Sequence, residues 1–371
     1  MLQNSSLSIL KLGYNNLSDE GVVTLASGIS NHAALTSLDL GFNNVGNEGC
    51  TALSSAIVSA IRNGGKIHTL YLAGNRITEE GARALSHVFR QDGTSSATGS
   101  GSGLTRIHLT GNKLGPEGIR ELMDAMAISN ESAGLDNGIQ HDTHNATATQ
   151  TSDCTRRGVQ ELFLGETGMG HMGCVAVAKM LGTSTSLRVL SLSNCELYDN
   201  SAMLLAAAIT SNCKQLPFER LQLSFNNLTC KGIEALMNAV WGLTRLKELQ
   251  LDNNKMEGRG AQVVSAVLGS VKTLQRLDVG FNAISGTGMK LLMKAVAENS
   301  NLTSLTISGN NVDMGSAKAI AYAMAHNASL KSIFLDHCAI DGEGQRHITA
   351  GIVSNSRTKL EVLTGFDVGG K

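Results

Sequence analysis

LKELQLDNNKMEGRGAQVVSAVLGSVKTLQRLDVGFNAISGTGMKLLMKAVAENSNLTSLTI, residues 246–307, is one phrase spoken twice and begun a third time. Leu246, Leu249, Leu251, Asn254, Met256 and Gly260 return as Leu274, Leu277, Val279, Asn282, Ile284 and Gly288. They return again as Leu302, Leu305, Ile307, Asn310 and Val312, with Ser316 in the glycine place. The spacing is 28 residues each time. Self-similarity at a fixed period is the signature of a solenoid, in which each unit covers its apolar face with its neighbours.

Working outward, copies of the phrase open at Leu7, Leu35, Ile67, Leu104, Val159, Leu187 and Phe218, and a later one at Leu330. The polar place is held by Asn15, Asn43, Asn75, Asn112 and Asn226, and by Thr167, Cys195 and Cys338 in the others. Leu360 and Leu363 begin a partial twelfth. About eleven repeats therefore fill residues 1–371 as a single domain. Two insertions interrupt it: a Gly/Ser tract at 90–103, expected to be a flexible loop, and a polar stretch at 129–157 without periodicity, expected to be disordered.

Each unit has a physical reading. The LxL core alternates with polar residues, as a short half-buried strand does. The Asn that follows can bond backbone groups left unpaired by a tight bend. The second half, for example EGARALSHVF or KGIEALMNAV, places apolar residues at helical spacing. Strand, turn, helix, return makes neighbouring strands parallel. Helices are wider than the strand spacing of about 4.8 Å, so the stack is expected to curve with the sheet inside.

This grammar, LxxLxLxxNxLxxxGxxxL, resembles the leucine-rich repeat family in its long-repeat, ribonuclease-inhibitor-like subclass, to which the sensor regions of NOD-like receptors are related. The resemblance implies a right-handed α/β solenoid, a horseshoe with a parallel sheet on the concave face and helices on the convex face. It also implies a non-enzymatic scaffold that binds a partner protein. A second reading follows from another relative with this repeat type, the Ran GTPase-activating proteins, which place a functional Arg in an amino-terminal repeat loop. Arg76, directly after Asn75, is the nearest candidate here.

Composition narrows the alternatives. The formal net charge is −1, with a pI near 6.8, which gives no global field to attract nucleic acid or a membrane surface. No stretch reaches the ~18 apolar residues of a membrane span. The amino-terminal segment lacks the marks of a signal peptide, and seven scattered cysteines with no CxxC pattern read as reduced thiols. A cytoplasmic protein is expected. A monomer is expected; Met1–Ser6 and the final GFDVGGK are weak solenoid caps, which leaves end-to-end pairing open.

Chemistry-bearing motifs are sparse. There is no GxxxxGK[ST], GxSxG or HExxH. His141, His144 and Cys154 lack a fourth ligand, and Cys195 and Cys338 are explained by their repeat position. No catalytic residue, cofactor or metal is expected. What remains is the sheet face, where residues flanking the leucines point away from the core. It presents Tyr71, Arg106, His108, Glu161 and Phe163, then Arg220, Glu248, Asp252, Arg276 and Asp278, and finally Phe334. Aromatic residues and Arg dominate interface energetics, which makes these the candidate partner-binding residues. Among them Arg220, Glu248 and Arg276 have the order of charges that pair across adjacent strands. Phe42, Phe225 and Phe281, each just before the polar place, are expected to pack over the turn.

Overall fold

The computed structural model describes residues 4–92, 103–135, 158–357 and 360–366, with the backbone course alone at 91–92 and 129–135. The chain forms two compact units, Met1–Arg188 and Val189–Lys371.

In the first unit, strands β1 (Ile9–Lys11), β2 (Ser37–Asp39), β3 (Thr69–Tyr71), β4 (Arg106–His108) and β5 (Glu161–Phe163) alternate with helices. These helices are α1 (Ser18–Ile29), α2 (Asn47–Arg62), α3 (Glu79–Asp92), α4 (Gly115–Leu135) and α5 (Gly170–Thr183). The strands pair in parallel and in chain order, with Leu10, Leu38, Leu70, Ile107 and Leu162 in one row. The second unit continues the pattern with β6 (Val189–Ser191), α6 (Asp199–Asn212), β7 (Arg220–Gln222), α7 (Cys230–Val240), β8 (Glu248–Gln250) and α8 (Glu257–Leu268). It ends with β9 (Arg276–Asp278), α9 (Gly286–Glu298), β10 (Ser304–Thr306), α10 (Met314–His326), β11 (Ser332–Phe334), α11 (Gly342–Ser354) and β12 (Val362–Thr364). Its leucine row runs Leu190, Leu221, Leu249, Leu277, Leu305, Ile333, Leu363. Each unit is thus a parallel sheet alternating with helices, the α/β solenoid that the period requires.

The core lies between the strand row and the helices. In the second repeat Leu38, Leu40, Val45, Leu53 and Ile57 are all fully buried, drawn from strand, turn and helix alike. A helix whose apolar stripe is covered in this way draws its stability from packing more than from propensity.

The polar place does what its chemistry suggests. The Asn75 side chain donates to the carbonyls of Leu40 (3.0 Å) and Leu72 (2.9 Å), while its oxygen accepts from the amides of Asn43 and Val45, both at 3.0 Å. One buried amide thereby closes four backbone groups belonging to two consecutive repeats. Asn112, Asn226, Asn254, Asn282 and Asn310 also reach back to the preceding repeat. Where Cys338 stands, its thiol donates to Ile307 O at 3.4 Å, and burial pushes its pKa up, as expected of an inert thiol.

Two features depart from the sequence reading. The residue before the polar place sits in left-handed backbone in all eleven repeats, from Tyr14 to His337, with φ between 51° and 72°. Glycine fills only three of these places; Phe42, Phe225 and Phe281 fill others, against the usual cost of about 1–3 kcal/mol for a bulky residue there. Phe42 and Phe281 do lie over the next turn, against Gly74 and Gly309. Yet the three phenylalanines stay 45–57% exposed, and Phe42 stacks on Tyr14 with centroids 4.5 Å apart. Secondly, α3 runs on to Asp92 and α4 to Leu135, into the stretches read as insertions. Residues 93–102 and 136–157, the latter with His141, His144 and Cys154, lie outside the described residues.

Several helix starts are completed by the preceding repeat, whereas α10 and α11 are capped by their own Asp313 and Asp341. Asp19 of α1 accepts from the amides of Gly46 (2.6 Å) and Gly49 (2.9 Å) at the entry to α2. Asp199 of α6 does the same for Thr229 (2.8 Å) and Gly232 (3.1 Å) ahead of α7. Orphan amides at a helix start ordinarily find an N-cap nearby in sequence; here the acceptor comes from one repeat back. A Cβ on Gly232 would lie 2.6 Å from Asp199 Oδ1, which explains the recurring glycine.

Candidate protein-binding face

In the first unit the face turned away from the helices carries two side-chain rows. Tyr71, His108 and Phe163 occupy the same register position on β3, β4 and β5. Their rings stack: His108 lies 4.2 Å from Tyr71 at 28° and 3.9 Å from Phe163 at 11°. Both separations are shorter than the strand spacing of about 4.8 Å, so the rings lean together. His108 Nε2 is enclosed without a hydrogen-bond partner. Burial holds the imidazole well below its ordinary range, at about 4; Glu161 and Asp39 oppose that shift and Arg106 reinforces it. The ring is therefore neutral near pH 7 and behaves as an aromatic plate.

Two residues back on the same strands, Arg106 and Glu161 form an ion pair. Arg106 Nη2 donates to Oε1 at 2.8 Å and its Nε lies 2.7 Å from Oε2. The Nη2 hydrogen bond and the nearby charge raise the Arg106 pKa, with Glu161 the main cause and Tyr71 a lesser one. The structure thus gathers Tyr71, Arg106, His108, Glu161 and Phe163 into one patch of three stacked rings beside a fixed ion pair.

The second unit places its candidates differently. Glu248 accepts from Arg220 Nε (3.1 Å) and from Arg276 Nε (2.9 Å) and Nη2 (2.5 Å) on the two neighbouring strands. Gln250 takes its other oxygen at 2.8 Å, and Glu248 is only 8% exposed. Its charge is spent internally, while half of the Arg276 side chain remains exposed. Asp252 accepts from the Ser224 hydroxyl and from Asn253 Nδ2 (2.8 Å). Asp278 accepts from Gly280 N at 2.9 Å. Burial raises the Asp278 pKa to about 6; the Asp252 charge adds to the rise, and the Gly280 and Thr306 hydrogen bonds oppose it. Phe334 stands two strands away on β11, half-buried between Thr306 and Thr364 in register.

Several features escaped the sequence reading. The Tyr14–Phe42 stack sits at the turns that follow β1 and β2. A second asparagine ladder runs along the helix ends: Asn299, Asn327 and Asn355 donate to Leu268 O, Val296 O and Met324 O. Arg76 is exposed in the loop before α3. Among the described residues no group of three His, Cys, Asp or Glu side chains converges as a metal site would require. No helix among them is long and apolar enough to cross a membrane.

The comparisons follow from this architecture. A family model described as "Leucine Rich repeat" matches residues 3–26, 33–54, 66–86, 104–123, 183–206, 217–237, 272–293 and 298–321. A search among curated proteins gives no match. Among solved structures, the chain is similar to one in the complex of Rad7 and Elc1 from yeast, at 15% identity and a TM-score of 0.50. That alignment covers 90% of this chain and 77% of that one. An internalin, InlF, of Listeria monocytogenes aligns over 98% of this chain and 87% of its own, at 15% identity and a TM-score of 0.47. A chain of the octameric complex of Latrophilin 3, Unc5D and FLRT2 aligns over 92% and 89%, at 15% identity and 0.41. At such identities only the fold is shared. The 28-residue period, the alternating parallel strands and helices and the eight matched segments together make this chain a leucine-rich repeat protein.

Proposed function

We propose that this protein is a non-enzymatic scaffold that holds a partner protein on the inner, concave side of its sheet, with the Tyr71–His108–Phe163 stack as the anchor. The supporting observation is that stack beside the Arg106–Glu161 pair. Three rings and a guanidinium already fixed by one another lose little conformational freedom when a partner covers them, which leaves more of the contact energy for affinity. In the second unit Arg220, Arg276, Asp252 and Asp278, with the half-buried Phe334, offer further contacts on that unit's own sheet face, and Glu248 positions the two arginines. The Rad7 structure is of a complex with Elc1, which accords with this reading of the fold. The subclass proposed is ribonuclease-inhibitor-like, related to NOD-like receptor repeats, and the setting proposed is cytoplasmic, monomeric and independent of nucleic acid.

Affinity capture with the intact chain, followed by mass spectrometry, tests this. Wild type is expected to retain a partner that Arg106→Glu combined with Phe163→Ser releases, with the folded circular-dichroism signal unchanged. Equal capture by the double variant rejects the anchor.

A further inference from the structure

The second unit holds a groove that the proposed scaffold function does not use. It has a volume of about 600 Å³ and lies at the strand-entry edge, where the loops before β8, β9 and β10 run side by side. Each loop contributes an adjacent pair of polar residues to it: Thr244 and Arg245, Lys272 and Thr273, Ser300 and Asn301. The lining contains no aliphatic or aromatic residue. Its single carboxylate, Glu219, is neutralised by Lys247 at 2.9 Å. Among the described residues, the Arg245 and Lys272 side chains have no ion-pair or hydrogen-bond partner. Thr273 Oγ1 is enclosed and likewise without a hydrogen-bond partner.

We infer that this groove binds a phosphomonoester group, with Arg245 and Lys272 as its counter-charges and the Thr244 and Ser300 hydroxyls as donors. The chemistry of the lining points to this class. Ligand sites of 300–1,000 Å³ are ordinarily apolar with a few polar anchors, whereas this one is lined by polar side chains with a net positive charge. It has no aromatic or aliphatic wall of the kind that buries a large apolar ligand. A dianion with several acceptor oxygens matches a lining of unpaired cations and exposed hydroxyls. Two sources carry that group: a phosphorylated side chain of a peptide and a small free organic phosphate.

Isothermal titration of the full chain at low salt tests the inference with three probes. These are a phosphoserine heptapeptide, its unphosphorylated twin and glycerol 2-phosphate. Binding of either phosphate probe, with no binding of the twin, is expected. A tenfold preference between the two phosphate probes identifies the source. Arg245→Ala combined with Lys272→Ala, both exposed positions, is expected to weaken binding at least about tenfold. Arg259→Ala, an exposed arginine on α8 outside the groove, is expected to leave it unchanged. Absence of binding by both phosphate probes overturns the inference, as does equal binding by the double variant or an equal loss in Arg259→Ala.

Discussion

His108 and Phe163 stack nearly in parallel, 3.9 Å between centroids, from matching positions on adjacent strands. The contact depends on charge state, because protonating the imidazole would place an enclosed cation between two rings and beside Arg106. The folded-state pKa is about 4, below the ordinary value of about 6.5. Between these two values the unfolded chain binds the proton and the folded chain does not. His108 therefore costs no stability above about pH 6.5 and an increasing amount as pH falls toward 4. The imidazole resonances are expected to titrate near pH 4. In His108→Phe, the fall in urea midpoint between pH 7 and 4.5 is expected to shrink; an unchanged fall would place the proton elsewhere.

Asp278 runs the other way. Its pKa is raised to about 6, against about 3.9 for an unperturbed Asp, so the folded chain holds the proton that the unfolded chain has lost. Its contribution is fully present below about pH 4 and is lost as pH rises through 6. Asp278→Asn keeps an oxygen for Gly280 N and removes the repulsion from Asp252. It is expected to raise the melting temperature at pH 7.5 and leave it nearly unchanged at pH 4.5. Destabilisation at pH 7.5 would show that the carboxylate is favourable there.

Asn75→Ala removes a side chain that closes four backbone groups, two of them amides, in the interior. A loss of about 3 kcal/mol is expected from chemical denaturation. Asn15→Ala, where the side chain is exposed and bonds only Leu12 O and Gly13 O, is expected to cost less than about 1 kcal/mol. Equal losses would mean that the ladder carries no interior load.

Gly232→Ala pushes a methyl group against Asp199, whose carboxylate caps the same turn. The expected cost is about 1–3 kcal/mol. Because both changes damage one contact, Asp199→Ala and Gly232→Ala are expected to be less than additive in a double-mutant cycle, with about 0.5 kcal/mol or more of coupling.

How much of this could be read from residues alone depends on range. Leu249, Leu277 and Asn282 announced strand, core and turn because their roles repeat every 28 residues. Tyr71, His108 and Phe163 could be placed on one face by alternation, and Arg220, Glu248 and Arg276 in one column. Quantities set by neighbours in space were not legible. Phe42 gave no sign of left-handed backbone, since its own preference opposes it and the ladder on either side imposes it. The burial of Glu248 under two arginines depends on side-chain lean, which no spacing encodes. Asp19 and Asp199 looked like ordinary acidic residues opening a helix; the turns that they cap lie about one period downstream. Asn327, outside the repeating phrase, fastens the end of one helix to the carbonyl of another.

The interlock between consecutive repeats has a bearing on how such a chain can change length. The ladder asparagine reaches back one repeat, while the helix-opening aspartate reaches forward one. A join made at any point other than the same phase of the period would orphan both sets at once. Duplication or loss of whole periods preserves every partner; a shift of even a few residues within a strand or its turn does not. Growth by modular copying is thus written into the hydrogen bonding itself, and the extra sequence found here begins in the last turns of α3 and α4, away from both sets of bonds.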